Sequence, residues 1–219
     1  MINTLFELEC STRCLVARFP VRQRMVSWSL NRPGLVEAEM VAWLEVRDAD
    51  LPIGVDPLDL LERRLAERGL RDAVGLMTAR DIRQHHLAVS GDGDLTVQAL
   101  VTLGLTNGSR LEPSGSLTSP LAPQPVGTIN TLVAVSCPLS PGALIEAASV
   151  ATMARTAALL ADHGQIVGTG TDCIVVASPL DVVGEPFAGL HTAIGQHITT
   201  AAFRATREAR SRWEGLSAE

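Results

Sequence analysis

The stretch GTINTLVAVSCPLSPGALIEAASVATMARTAALLADHG, residues 127–164, decides the fold. Its opening, GTINTLVAVSC, is almost unbroken apolar and β-branched sequence, the pattern of a largely buried strand. Ser140 then offers an oxygen to cap a helix, Pro141 suits the first helical turn, and Gly164 marks the end. Between them most residues are Ala, Leu, Ile, Val or Met, so the helix is apolar over most of its surface and expected to be well buried. Directly after it, DCIVVASP (172–179) reads as another buried strand.

Working outward, the N-terminal third is rich in strands. LFELE, CLVARF and RMVSWSL are candidates, the last running into the turn residues NRPG, and EAEMVAWLEV alternates apolar residues at Met40, Ala42, Leu44 and Val46. A helix follows, with Asp56 as cap, Pro57 at its first position and Gly69 at its end. AVGLMTA is a short apolar segment, and DLTVQALVTLGL carries one strand face before TNGSR closes it. Residues 111–126 are rich in Pro and Ser and read as a loop, and HTAIGQHITTAAFRATREARSRW is a final helix with a charged tail. The expected fold is a mixed α/β (α+β) sandwich: a strand-rich N-terminal third, then alternating strands and helices with two long helices, in a single domain over 1–219.

Composition narrows the function. A net charge of -6 gives little electrostatic reason to bind nucleic acid or an acidic membrane. Tyr is absent and aromatics make up 3%, which removes the stacking platforms of single-strand binders. Apolar stretches such as LVTLGL and CIVVAS are far shorter than the roughly 20 residues of a membrane span, and the N-terminus lacks signal-peptide features. These readings point to a cytoplasmic protein acting on a small molecule, with no nucleic acid partner and no membrane insertion. Cys10, Cys14, Cys137 and Cys173 are too scattered for a disulfide framework and are expected to be reduced. An exposed apolar face on the N-terminal strands would support a homodimer.

Several polar residues interrupt the apolar pattern. On the long helix, Ser149, Thr152, Arg155 and Thr156 share one arc, facing either water or an internal polar cavity. In TNGSR, Asn-Gly is a common tight-turn dipeptide, yet Asn107 and Arg110 also bring an amide and a guanidinium to a strand end, where polar groups converge on ligands. Asn130 is the only strongly polar side chain at the start of its strand and needs partners. GTGTD (168–172) lacks the lysine of a phosphate-binding loop, and its glycines precede a strand instead of opening a helix. It is either a glycine-rich approach to a strand capped by Asp172, or a site into which Thr169, Thr171 and Asp172 point. His191 opens the last helix as a base, ligand or cap. His85, His86 and His197 lack metal-ligand spacing. No nucleophile motif is present and Cys173 lies in an apolar strand, so any hydrolysis is expected to use directly activated water.

Five blocks in order, GLMTARDI, LTVQALVTLGLTNGSR, GTINTLVAVSCPLSPGALIEAASVATMARTAAL, VGTGTDCIVVAS and FAGLHTAIGQHI, resemble the adenosylcobinamide amidohydrolase family over about residues 74–205. That resemblance implies hydrolysis of the amide joining an aminopropanol arm to a corrin propionate, releasing adenosylcobyric acid in corrinoid salvage, with the corrinoid as substrate and no cofactor or metal. It matches Asn107, Arg110, Asn130, Thr171, Asp172, His191 and Thr192 to the family's blocks; with the helix-arc and loop residues, the expected site is Asp172, His191 and Asn107 as catalytic residues, and Arg110, Asn130, Thr152, Arg155, Thr169, Thr171 and Thr192 as substrate-binding residues. Asp172 or His191 would activate water, while Asn107, Asn130 and Arg110 orient the amide and stabilise the oxyanion. Four positions depart from the family pattern. Met153 replaces an acid, Arg155 a lysine, Leu190 the lysine of the family's G-K-H-T and Gln196 the glutamate of the L-G-E that follows it. The alternatives are an enzyme acting on another small-molecule amide, and a corrinoid-binding protein without catalysis.

Overall fold

The computed structural model describes residues 4–119 and 127–216. In chain order the elements are β1 (Glu7–Ser11), β2 (Cys14–Ser27), β3 (Gly34–Glu45), α1 (Pro57–Glu67), β4 (Val74–Thr78), β5 (His85–Asp92), β6 (Leu95–Leu103), β7 (Ser109–Leu111), β8 (Leu117–Thr118), β9 (Ile129–Val135), α2 (Pro141–Leu160), β10 (Ile166–Gly168), β11 (Cys173–Pro179) and α3 (Ala193–Leu216). This is the expected mixed α/β arrangement. Seven strands pair in the order β4-β3-β2-β11-β9-β6-β5, with β1 added on β2, while β10, β7 and β8 form a small second sheet. Only β3–β4 and β9–β11 are parallel among the pairs of the large sheet, and α2 is the crossover between β9 and β11.

Alternation along the strands divides the core. Leu15, Ala17 and Met25 of β2, Trp43 of β3, Leu100 of β6, Leu132 of β9 and Val175 of β11 share one cluster with Phe6 and Val74. On the opposite face, Val97, Val101, Val133, Ile174 and Val176 pack beneath α2 and α3. Cys14, Val16, Ala42 and Leu44 pack beneath Leu61 and Leu65 of α1. The large sheet is bent so that β4, four places from β9 in the strand order, returns against it. The first cluster fills the inside of that bend, and the helices cover the outside.

Three sequence readings need correction. CLVARF and RMVSWSL are one strand, β2, whose pairing with β3 becomes irregular between Arg18 and Gln23 around Pro20. HHLAVSGD forms β5, unread in the sequence because an edge strand covered by α3 on one side is only partly buried and keeps polar residues. The long helix stops at Leu160, and a 3-10 turn with Asp162 at φ 52° intervenes before Gly164. Ser140 does cap α2, accepting from Ala143 N at 3.1 Å, and Asp56 caps α1, accepting from Leu58 N at 2.7 Å. The pattern of α2 is long and apolar enough to cross a membrane, but 56% of that window is buried within the protein. Part of the Pro- and Ser-rich loop, residues 120–126, lies outside the described residues.

A charged latch ties α1 to the sheet. Asp50 accepts from Arg64 Nη2 at 2.7 Å, from Arg47 N at 2.7 Å and from Arg13. These donors, Arg64 foremost, hold its carboxyl well below the usual carboxylate range. A depressed folded-state pKa contributes stability above about pH 4, the unfolded value, and loses it as pH falls. Asp50→Asn should therefore lower Tm at pH 7, and the difference from wild type should shrink steadily below about pH 4. A constant difference between pH 7 and pH 2 in thermal melts would show that the charge is not what stabilises the latch.

Candidate functional site

Four of the five sequence blocks converge at one place, where β9 and β11 begin. Asp172, just before β11, is the hub. Its Oδ1 accepts from Ile129 N at 2.9 Å and from Thr169 Oγ1 at 2.5 Å. Its Oδ2 accepts from Thr169 N at 2.9 Å and faces Arg155 Nη1 at 3.0 Å. The Arg155 and Asp172 side chains are each only 9% exposed, so the ion pair is little screened by solvent. The surrounding residues lock the hub. Thr128 Oγ1 donates to Thr171 O at 2.8 Å, Thr171 Oγ1 donates to Thr128 Oγ1 at 3.0 Å, and Asn107 Oδ1 accepts from Gly127 N at 3.0 Å. Gly168 is needed here: a Cβ would lie 2.7 Å from Asp172 Oδ2.

The other site candidates fall into different surroundings. Asn130 lies on the inner face of β9, fully buried, and its Nδ2 donates to Met77 O at 2.7 Å, tying β9 to the returning β4. Thr152 is half-buried on α2 and donates back to Ala148 O at 2.8 Å. Arg110, on β7 opposite Ile166, is exposed and reaches a small cavity past the far end of β10. Ser149 is exposed and Thr156 half-buried, so the polar arc of α2 splits between solvent and the Arg155 ion pair.

His191 is not beside Asp172. It stands before α3, exposed, its ring 6.1 Å from that of Phe187. Thr192 is the cap of α3: its Oγ1 accepts from Gly195 N at 3.0 Å and donates to Gly189 O at 2.8 Å. This loop is held by Glu146 near the start of α2, whose Oε2 accepts from Ala188 N at 2.8 Å. Glu146 and Arg155 are nine residues apart, about 14 Å along the helix axis, so the two groups mark opposite ends of α2. The expectation of one shared polar site therefore resolves into two centres. Their separation follows from topology: Asp172 precedes β11, whereas His191 lies in the loop that follows it.

Sequence reading missed two residues. Trp28 is 47% exposed, and its Nε1 donates to Asp172 O at 2.7 Å, covering the hub from the end of β2. Glu146, the only acid on α2, anchors the His191 loop. An isolated Trp in a strand and an isolated Glu in an apolar helix were the available signals, but no spacing links either to its partner.

Exposed apolar side chains stand at both centres and on the helix between them. They are Trp28 over the hub, Ile145 and Met153 on the outward face of α2, and Phe187 and Leu190 near His191. Leu35, opposite Val26 in the β2–β3 ladder, is exposed on the helix side of the sheet. Two departures from the family pattern, Met153 and Leu190, are among these exposed side chains, Gln196 is exposed on α3, and Arg155 keeps a cation against Asp172. Cys173 faces the inner core and burial pushes its thiol up to about 12, which leaves it protonated and inert. Among the described residues no three His, Cys, Asp or Glu side chains are grouped as metal ligands would be.

These features define an α+β protein with a polar hub at the start of a parallel strand pair and an open apolar surface along the crossover helix. The chain belongs to the adenosylcobinamide amidohydrolase family, whose model matches residues 2–218. It is 35% identical over 137 residues to an adenosylcobinamide amidohydrolase of Halobacterium salinarum, a match taking in 60% of this chain and 57% of that protein. A second relative of the same description, from Methanosarcina mazei, is 29% identical over 158 residues, 68% of this chain and 72% of that one. A solved structure of a Pyrococcus horikoshii protein is 14% identical, with a TM-score of 0.46, covering 91% of this chain and 76% of that chain.

Proposed function

We propose that this chain hydrolyses the amide that joins an aminopropanol arm to the corrin ring of adenosylcobinamide, working in the cytoplasm. The observation that carries the reading is the set of exposed apolar side chains on α2 and at the His191 loop: Ile145, Met153, Phe187 and Leu190. Clustered exposed apolar side chains mark binding faces, and these, spread along α2, suit a large flat ligand better than a small amide. Family membership supplies the reaction.

Chemistry is assigned to the His191 end. A carboxylate offers about four lone-pair sites, and Asp172 has four donors already. It would have to release a partner before taking a proton from water, so we assign it the role of positioning α2 and the β9–β11 pair. His191 is exposed and takes the proton as water adds to the amide carbonyl. The first-turn N–H groups of α3, at Ala193 and Ile194, precede any intrahelical acceptor and stabilise the oxyanion. The proton then passes to the departing nitrogen, the C–N bond breaks, and a carboxylate and an amine leave. In this scheme Asn107, Thr169 and Thr171 build the hub, Asn130 ties β9 to β4, and Thr192 holds the α3 terminus.

Met153 and Leu190 favour a second reading, an amide substrate whose ring periphery is less polar than the family's usual one. Structures of the protein soaked with adenosylcobinamide test the first reading. The ring is expected along Trp28, Met153 and Phe187 with its amide at His191; a ring bound elsewhere, or none at saturating ligand, would reject it.

A further inference from the structure

His191 is exposed, yet the turn that carries it is held at three points. Ala188, fully buried, donates its N–H to Glu146 Oε2 at 2.8 Å. Gly189 O accepts from Thr192 N at 2.9 Å and from Thr192 Oγ1 at 2.8 Å. Gly195 lets the first turn of α3 close on the same peptide, since a Cβ there would lie 2.2 Å from Gly189 O and 2.6 Å from Ala188 O. The imidazole therefore leaves a fixed backbone, as a positioned base requires. Gly189 shows what the ring faces. A Cβ on it would stand 3.1 Å from His191 Nδ1 and 3.7 Å from Glu146 Oε1, so those two atoms are at most about 7 Å apart across an open gap. His191 Nδ1 and Cε1 are the ring atoms nearest that point, and Nε2 is turned further away. Among the described residues neither Glu146 Oε1 nor either ring nitrogen has a hydrogen bond. One oxygen of the half-buried Glu146 holds the loop backbone, and the other stands across the gap from the imidazole.

We propose that Glu146 is the positioning residue of His191, its Oε1 accepting the Nδ1–H so that Nε2 is left to act as the base. The assignment rests on the amide-hydrolase reading, in which His191 takes a proton from water. A neutral imidazole carries its hydrogen on one nitrogen, and the other is then the acceptor. An ionised carboxylate accepts but does not donate, so Glu146 selects the tautomer with hydrogen on Nδ1. Catalytic hydrogen bonds are often long when substrate is absent. Here an exposed ring reaches the carboxylate by rotating about its own side-chain bonds, with the backbone unmoved. As the water oxygen bonds to the amide carbon, its proton passes to Nε2, and the imidazolium still donates from Nδ1 to Glu146. The proton on Nε2 goes to the departing nitrogen as the C–N bond breaks, and Glu146 stays ionised throughout. The same carboxylate thus fixes both the loop and the tautomer of the base.

Glu146→Gln separates the two tasks. Its amide oxygen keeps the Ala188 N–H, which leaves an NH2 donor towards the imidazole and favours the tautomer with hydrogen on Nε2. Nitrogen-15 shifts of the His191 ring, recorded on the full chain without substrate and at a pH where the ring is neutral, read this directly. Hydrogen on Nδ1 is expected in wild type and on Nε2 in Glu146→Gln, with the two proteins melting alike; the same tautomer in both would overturn the pair. Turnover of adenosylcobinamide supplies the second arm. In Glu146→Gln kcat is expected to fall by about a hundredfold with KM unchanged, the low end of what a general base contributes. Added to His191→Ala the substitution should cost nothing further, because the two side chains act as one unit. Undiminished kcat, or an equal loss with and without the histidine, would reject the assignment. Gly189→Ala changes neither polar group, and the backbone at Gly189 lies outside the left-handed region. Its methyl fills the gap, so kcat is expected to fall while Tm is kept, and full activity would count against the pair. Absence of turnover by wild type would remove the hydrolase reading and leave the ring shifts to decide whether Glu146 sets the tautomer.

Discussion

Asp172→Asn is expected to destabilise the protein by about 3 kcal/mol, the lower end of what removing one partner from a buried ion pair costs. The substitution keeps the side-chain shape and one acceptor oxygen, but it leaves the Arg155 guanidinium buried without its counter-charge. No other hydrogen bond or ion pair is made by that guanidinium among the described residues. The replaced oxygen also loses the Thr169 N–H or the Ile129 N–H, so the starts of β9 and β11 loosen together. Denaturant melts of the two proteins measure this directly. A loss below about 0.5 kcal/mol, the range of ordinary surface changes, would show that the hub does not hold the strand pair.

His191→Ala should behave in the opposite way. The side chain is exposed and, among the described residues, its ring meets that of Phe187 at a tilt, so Tm is expected to stay close to wild type. Loss of a positioned general base lowers kcat by about 10²–10⁴-fold. The pair of variants therefore separates the two ends of α2: one removes stability, the other chemistry. Undiminished kcat in His191→Ala, alongside a folded Asp172→Asn that has lost turnover far beyond its unfolded fraction, would move the reaction centre to the hub.

The legible part of the fold lay in local patterns. Ser140–Pro141 and Asp56–Pro57 placed the starts of α2 and α1 because capping is a property of a few adjacent residues. The apolar runs of β9 and β11 were equally plain, since both faces of these strands are covered. What stayed hidden depended on three-dimensional neighbours. β5 escaped notice because its burial comes from α3, more than a hundred residues later, as in the 2.9 Å contact between Ser90 Oγ and His197 Nδ1.

The site divides in the same way. Asn107, Arg155, Thr169, Thr171 and Asp172 were recognisable as members of ordered blocks, and the structure brings them together at the start of β11. Nothing in their spacing distinguished residues before that strand from His191 after it. Strand direction and the crossover through α2 decide the matter, and neither is a local property. Asn130 illustrates the limit well. A polar residue at the start of an apolar strand had to have a partner, but that partner, Met77 O, is provided by the bend of the sheet.

The most direct measurement incubates the purified protein with adenosylcobinamide and follows the corrinoid by mass spectrometry, for wild type and His191→Ala side by side. The account predicts adenosylcobyric acid and free aminopropanol from wild type, at a rate at least a hundredfold above that of the variant, on the order expected for loss of a general base. Unchanged adenosylcobinamide in the presence of folded wild-type protein would contradict it.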